Sequence, residues 1–293
     1  MCSSPEPLAD RRPHGYLAAI PERPATMDAQ ALFSALLMGI VEGITEFLPI
    51  SSTGHLILLG ELIGFTGPGS ATFKIAIQLG AILAVVVVFW RTLMDLALKA
   101  WRPGPERFYA VNIILAFIPA MVIGATFYST IHAMLFNPWI VCVALIAGGV
   151  AIIAIERWRP HATIRSVPEI GPLGALLIGF GQVLAMIPGT SRSGATIITA
   201  LLLGVERRAA AEFSFLLAIP TMFAATVYAL YKGRNELDLT GLAQIGVGFV
   251  TAFVVALVVV RWLMAVIARI GFTPFGWYRI ALGTVMLLVL TFG

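Results

Sequence analysis

Glu42 and Glu46 stand four residues apart just ahead of Pro49, so on a helix both carboxylates share one face. Like charges at that spacing repel, and the C-terminal end of a half-helix disfavours negative charge. A cation between them resolves the conflict, either an arginine or a divalent metal. Ser51, Ser52, Thr53 and His55 follow at the start of the next half-helix. Hydroxyls there are common N-caps, but capping explains only one of the three. Together with the carboxylates they offer a nucleophile, a base and an orienting acid within one turn of chain. A second group is cationic: after Pro188, the residues Thr190, Ser191, Arg192, Ser193 and Gly194 open another half-helix. Backbone N–H groups, hydroxyls and a guanidinium at a helix N-terminus suit phosphate. Brought together, the acidic and cationic groups would make a phosphate-cleaving pocket.

The elements that must position these groups are membrane helices. The 293 residues are 59% hydrophobic and 12% charged, where a soluble domain carries about 25% charged residues. That composition excludes a disordered chain, a disulfide scaffold and an ordinary soluble enzyme. The net charge of +4 comes from 19 Lys+Arg against 15 Asp+Glu. It reads as basic loops that set topology rather than as a nucleic-acid surface. Cys2 and Cys142 offer neither a metal-ligand spacing nor a disulfide. Apart from His55, the histidines His14, His132 and His161 fall in the tail or loops.

Residues 1–26 carry five prolines and no sustained apolar core, so they read as a disordered tail rather than a signal peptide. Met27 then opens an amphipathic helix and is an alternative start. A single membrane domain, 27–293, follows. Six runs are long and apolar enough to cross a bilayer: 73–90, 111–129, 139–155, 213–231, 242–260 and 277–292. The stretches 31–65 and 172–204 are instead broken at their middles, at the two polar groups. Broken helices at membrane depth persist only where protein or a watery cavity covers them. An offset of 140 places Gly39, Gly54, Gly64 and Phe73 on Gly179, Gly194, Gly204 and Phe213, Glu42 on Gln182, and Ser51 on Ser191. Phe136-Asn-Pro138 and Phe272-Thr-Pro274 echo each other more loosely. The chain therefore reads as a duplication, with halves of about 27–156 and 172–293. Each half is one re-entrant broken-helix hairpin plus three spans. Three crossings is odd, so the second half is inverted. The loops 91–110, 156–171, 205–212 and 261–276 are richer in Lys and Arg than 130–138 and 232–241, which places them in the cytoplasm. The expected fold is an all-α polytopic membrane protein whose two hairpin tips meet near mid-membrane.

The motifs Glu42-Gly-Ile-Thr-Glu46-Phe-Leu-Pro-Ile-Ser-Ser-Thr-Gly-His55 and Pro188-Gly-Thr-Ser-Arg-Ser-Gly194 strongly resemble the undecaprenyl-diphosphate phosphatase family, the bacitracin-resistance membrane proteins. The resemblance runs from about Met27 to the C-terminus and includes Glu212–Pro220 and Phe272–Arg279. It implies hydrolysis of undecaprenyl diphosphate to the monophosphate carrier used in cell-wall synthesis. It also implies a divalent cation (magnesium or calcium), a bacterial inner-membrane location with the site open to the periplasm, and a homodimer. Family site residues fall on Glu42, Glu46, Ser52, His55 and Arg192. Ser51, Thr53, Thr190, Ser191 and Ser193 stand beside them as phosphate contacts, and the two glutamates are the candidate metal ligands. The attacking group stays open among Ser52, His55 and metal-bound water, with His55 or Glu46 as base.

Two other classes compete. Phosphatidic-acid-type phosphatases need a second histidine after the Ser-Arg element, and none follows His161. A secondary transporter that flips a polyprenyl phosphate lipid also fits inverted halves with broken helices. The nucleophile, base and acid cluster argues for chemistry, because carrying an anion needs no nucleophile.

Overall fold

The computed structural model describes residues 29–65, 70–127, 130, 137–232 and 241–292. The tail 1–26, the Met27 start, His14, His132, Phe136 and most of the two loops poor in basic residues lie outside the described residues. Among those described, regular structure is helical, apart from a single isolated bridge between Ile164 and Val205.

Among the described residues, five helices are long and apolar enough to cross a membrane. They are α5 (Pro105–Thr126), α6 (Pro138–Trp158), α9 (Arg207–Lys232), α10 (Leu242–Ile270) and α11 (Thr273–Phe292). Proline occupies the first turn of both α5 and α6, where its missing N–H would have been unpaired anyway. The Asn137 side chain caps α6 by accepting from the Trp139 N–H at 3.0 Å. The sixth expected span is α3 (Ser70–Val88). After Phe89 it turns by 74° into α4 (Trp90–Lys99), a helix with no buried residue. The charged trio Arg91, Asp95 and Lys99 explains the turn, since burying it at membrane depth is costly.

The two broken stretches fold as the sequence indicates. The first is α1 (Ala29–Thr45) and α2 (Ser52–Leu62); the second is α7 (Pro172–Val183), a 3-10 turn over Leu184–Met186, and α8 (Arg192–Leu202). Positions related by the offset share unusual backbone. Ser51 and Ser191 both have φ of 72°, and Gly64 and Gly204 have φ of 67° and 77°. Packing exchanges in the same way: α1 lies against α10, while its counterpart α7 lies against α5, and α6 pairs with α11. Small residues allow these approaches. A methyl group on Gly39 would sit 2.6 Å from the Gly248 carbonyl oxygen, and one on Gly179 would strike the Ala116 carbonyl.

On α10, Gly248, Ala252, Ala256, Val260, Leu263 and Ile267 are buried, whereas Val250, Val254 and Val258 are exposed. An outward face that is itself apolar is a lipid-facing one. α9 is the central helix, and its Phe213, Phe215, Leu216 and Leu217 are all buried. Around it the core joins both halves, Phe47 and Ile82 from the first with Ile178 and Ile197 from the second.

Candidate active site

Glu42 and Glu46 face inward at the end of α1 and just beyond it, and are 1% and 6% exposed. Pro49 stops the helix, and the chain then passes through Ser51 in the left-handed region before α2 starts at Ser52. A serine there costs of order 1–3 kcal/mol, and such strain collects at functional sites. The turn sets Ser52 back towards the carboxylate it has just left. Its hydroxyl donates to Glu46 Oε2 at 2.5 Å.

The second break repeats this path. Ser191 Oγ accepts from the Gly194 N–H at 3.2 Å and caps α8, and Arg192 is the first residue of that helix. Its guanidinium reaches the other hairpin, with Nη2 lying 3.6 Å from Glu46 Oε1 and the group packed over the Phe47 ring. Nη1 donates to the Ser214 carbonyl at 2.9 Å. Arg192 Nε and Nη2 are buried without a hydrogen-bond partner, as is Glu42 Oε1. Buried polar atoms left unpaired are costly and need an explanation; here two are donors and one an acceptor, set around the same contact.

A cavity of about 160 Å³ opens beside this contact, lined by Glu46, Ser51, Ser52, Thr53, Gln78, Ser191 and Arg192 among others. Sites enclosing a whole drug-sized ligand run to about 300–1,000 Å³, so this one suits a head group alone. Glu42 lies buried next to it rather than on its wall. Ser193 turns away and donates across the hairpins to the Leu48 carbonyl at 2.9 Å. Thr190 contributes its carbonyl to a different partner, Arg279.

His55 also points elsewhere. Nδ1 lies 2.7 Å from the Ser51 carbonyl, and Nε2 lies 2.7 Å from the Tyr278 hydroxyl. A carbonyl can only accept, so Nδ1 carries the proton, and in the neutral ring Nε2 accepts from Tyr278. His55 thus braces the strained Ser51 peptide, and the described contacts make Glu46, not His55, the partner of Ser52.

The chain matches the family described as "Bacitracin resistance protein BacA" over residues 35–285. It is 53% identical to undecaprenyl-diphosphatase 2 of Paramagnetospirillum magneticum over 255 residues, covering 87% of this chain and 97% of that one. It is 52% identical to the undecaprenyl-diphosphatase of Sphingopyxis alaskensis, over 86% of this chain and 95% of that one. The enzyme of that name from Ectopseudomonas mendocina is 50% identical, over 89% and 95%. The chain belongs to the BacA family.

One residue central to this BacA-family site has no role in the sequence reading. Arg279, on α11, is fully buried and donates to five carbonyls. Those of Pro49 (3.2 Å), Gly189 (2.9 Å) and Thr190 (2.8 Å) belong to the two breaks, and those of Ala144 (3.0 Å) and Leu145 (3.3 Å) to α6. Carbonyls that lie in the two breaks, outside any helix ladder, are thus gathered by one side chain. An arginine inside an apolar run marks such a place, but nothing in the sequence says which carbonyls it meets. Tyr278, Gln78 and Ser214 went unread for the same reason.

Proposed function

We propose that Ser52 and Arg192 together cleave the terminal phosphate from undecaprenyl diphosphate. The chain is an undecaprenyl-diphosphatase that regenerates the monophosphate carrier and supports bacitracin resistance, as its family and its relatives' names indicate. The observation that carries the residue assignment is the Ser52–Glu46 hydrogen bond, with Arg192 on the other carboxylate oxygen. Ser52 Oγ attacks the terminal phosphorus, and its proton passes to Glu46. The phosphoanhydride bond breaks, and undecaprenyl phosphate leaves with the bond's electrons. Glu46 gives that proton to the leaving undecaprenyl phosphate and is a carboxylate again. It then takes a proton from the water that attacks the phosphoserine and returns it to Ser52 Oγ as inorganic phosphate leaves. Arg192 meets the charge on the departing phosphate with the donors that have no protein partner.

A magnesium or calcium ion fits these residues. The described residues hold no group of three His, Cys, Asp or Glu, but two carboxylates completed by substrate phosphates are a usual set for magnesium. Two carboxylates face one guanidinium here, and Glu42 Oε1 is unpaired. Glu42 and Glu46 would hold the ion, which when bound would draw charge from the phosphate oxygens. The paired hairpins support an inverted repeat, and the basic loops support a site open to the periplasmic side of the inner membrane. A carrier that only flips lipid has no use for a hydroxyl set on a carboxylate. Phosphate release from undecaprenyl diphosphate by the purified chain is the test. We expect multiple turnovers that stop on chelation, and a phosphoserine at Ser52 when turnover is quenched. Turnover without any trapped phosphoserine, retained in Ser52→Ala, would rule out Ser52 as the attacking group.

A further inference from the structure

A second and larger cavity, about 500 Å³, lies at the end of the molecule where the arginines gather. Arg159, Ala162, Arg165, Glu206, Arg207 and Ala268 line it, and it shares no lining residue with the catalytic cavity. Its wall is an ordered clasp. The Thr163 and Ile164 N–H groups donate to the Gly204 carbonyl at 3.0 and 3.1 Å, and the Glu206 N–H donates to the Ile164 carbonyl at 2.8 Å. Arg207 is tied to Glu156 and to the Ala268 carbonyl, so it is already neutralised and fixed. Arg159 and Arg165 form no ion pair among the described residues. Glu169 is turned to the Ser166 hydroxyl and the Arg165 backbone N–H. Over 156–171, 205–208 and 268–271, six arginines stand against three glutamates.

Depth decides the class of ligand. α6 and α10 end at this cavity and α9 begins at it, so it lies at the boundary between apolar spans and water. The last residues of α6 and α10 are exposed apolar side chains, Trp158 at 76% and Ile270 at 42%. Basic pockets between helices at that level are suited to phosphate headgroups, with the acyl chains lying along the helix faces. We propose that this cavity binds the phosphodiester headgroup of an anionic phospholipid, with Arg159 and Arg165 as its charged contacts. Glu206 opposes the ligand and tempers its affinity.

The proposal is independent of the hydrolytic mechanism and is tested by lipid retention. The full chain, purified in detergent, is loaded with phosphatidylglycerol or phosphatidylcholine and examined by native mass spectrometry. Phosphatidylglycerol should be retained preferentially, and Arg159→Gln with Arg165→Gln should lower its retention roughly tenfold or more. Glu206→Gln should raise retention, a gain that damage to the fold does not mimic. Arg208→Gln, an exposed charge off the cavity wall, should leave it unchanged. Excess inorganic phosphate should displace no more lipid than chloride at equal ionic strength. Equal retention of the two lipids, an equal loss in Arg208→Gln, no gain in Glu206→Gln, or full displacement by free phosphate would each overturn the proposal.

Discussion

The two helix breaks share a backbone and differ in chemistry. Both stop at a proline, both pass through a serine at φ 72°, and both restart a helix of 11 residues. At the first position of that helix one break carries Ser52 and the other Arg192. Ahead of the break, Glu42 is matched by Gln182, and Glu46 by Met186. A break of this kind is thus a mounting whose function is set by a few side chains. The first break carries carboxylates and hydroxyls, and the second carries a guanidinium. Neither could act alone, since the contact that defines the site runs between them.

The sharpest way to break this comparison is to exchange matched positions for alanine. Ser52→Ala and Arg192→Ala should each reduce kcat at least about a hundredfold, because a lost nucleophile or charge-stabilising donor costs about 3 kcal/mol or more on the barrier. Arg192→Lys should fall between Arg192→Ala and the parent, keeping charge without the planar fork. Phosphate release under saturating substrate measures all three. If Arg192→Ala turns over at the parent rate, the cationic break takes no part in the chemistry.

Next in size is the bond between the breaks. Arg279→Ala leaves several buried carbonyls unpaired, each costing about 1–3 kcal/mol where water cannot replace the donor. Its thermal midpoint in detergent should drop sharply and its yield should fall. Arg279→Lys, with three donors, should recover only part of the loss. An unshifted midpoint for Arg279→Ala would mean the breaks hold each other without it.

A third change sharpens the acidic side. Glu42→Gln removes a charge while keeping shape and matches the residue at the second break. Loss of one charged contact, about 1.5–3 kcal/mol, should cut activity by ten- to a hundredfold and flatten its dependence on divalent cation. A metal titration identical to the parent's would withdraw Glu42 as a ligand. The smallest effect belongs to the matched serine: Ser191→Ala should cost about 1 kcal/mol of stability through its cap. Its kcat should remain far above that of Ser52→Ala, and equal losses in the two variants would erase the distinction between the breaks.

Much of this was legible in the residues. Apolar runs gave the spans because bilayer thickness sets their length, and the broken stretches stood out because each half was too short to cross. Glu46, Ser52 and Arg192 were legible as reactive types, and the 140-residue offset sets Ser52 against Arg192. What was not legible depends on direction. Ser193 looked like a phosphate contact from its position beside Arg192, yet its hydroxyl is spent holding the breaks together. His55 looked like a general base, but the turn at Ser51 aims its ring at Tyr278. The bend after Val88 was hidden because apolar periodicity runs through it, and only the charges beyond it show where the helix must leave the membrane.

The place of Arg279 in the chain has a consequence for synthesis. The carbonyls it gathers are made early and midway, while the side chain itself lies in the last helix. α1 likewise finds its main packing surface on α10. The ribosome therefore delivers the reactive groups long before it delivers the part that locks them. Until the final segment has entered the bilayer, the nascent chain carries carboxylates and hydroxyls without a finished centre. The contacts that join the two breaks are therefore complete only once the last helix has been made.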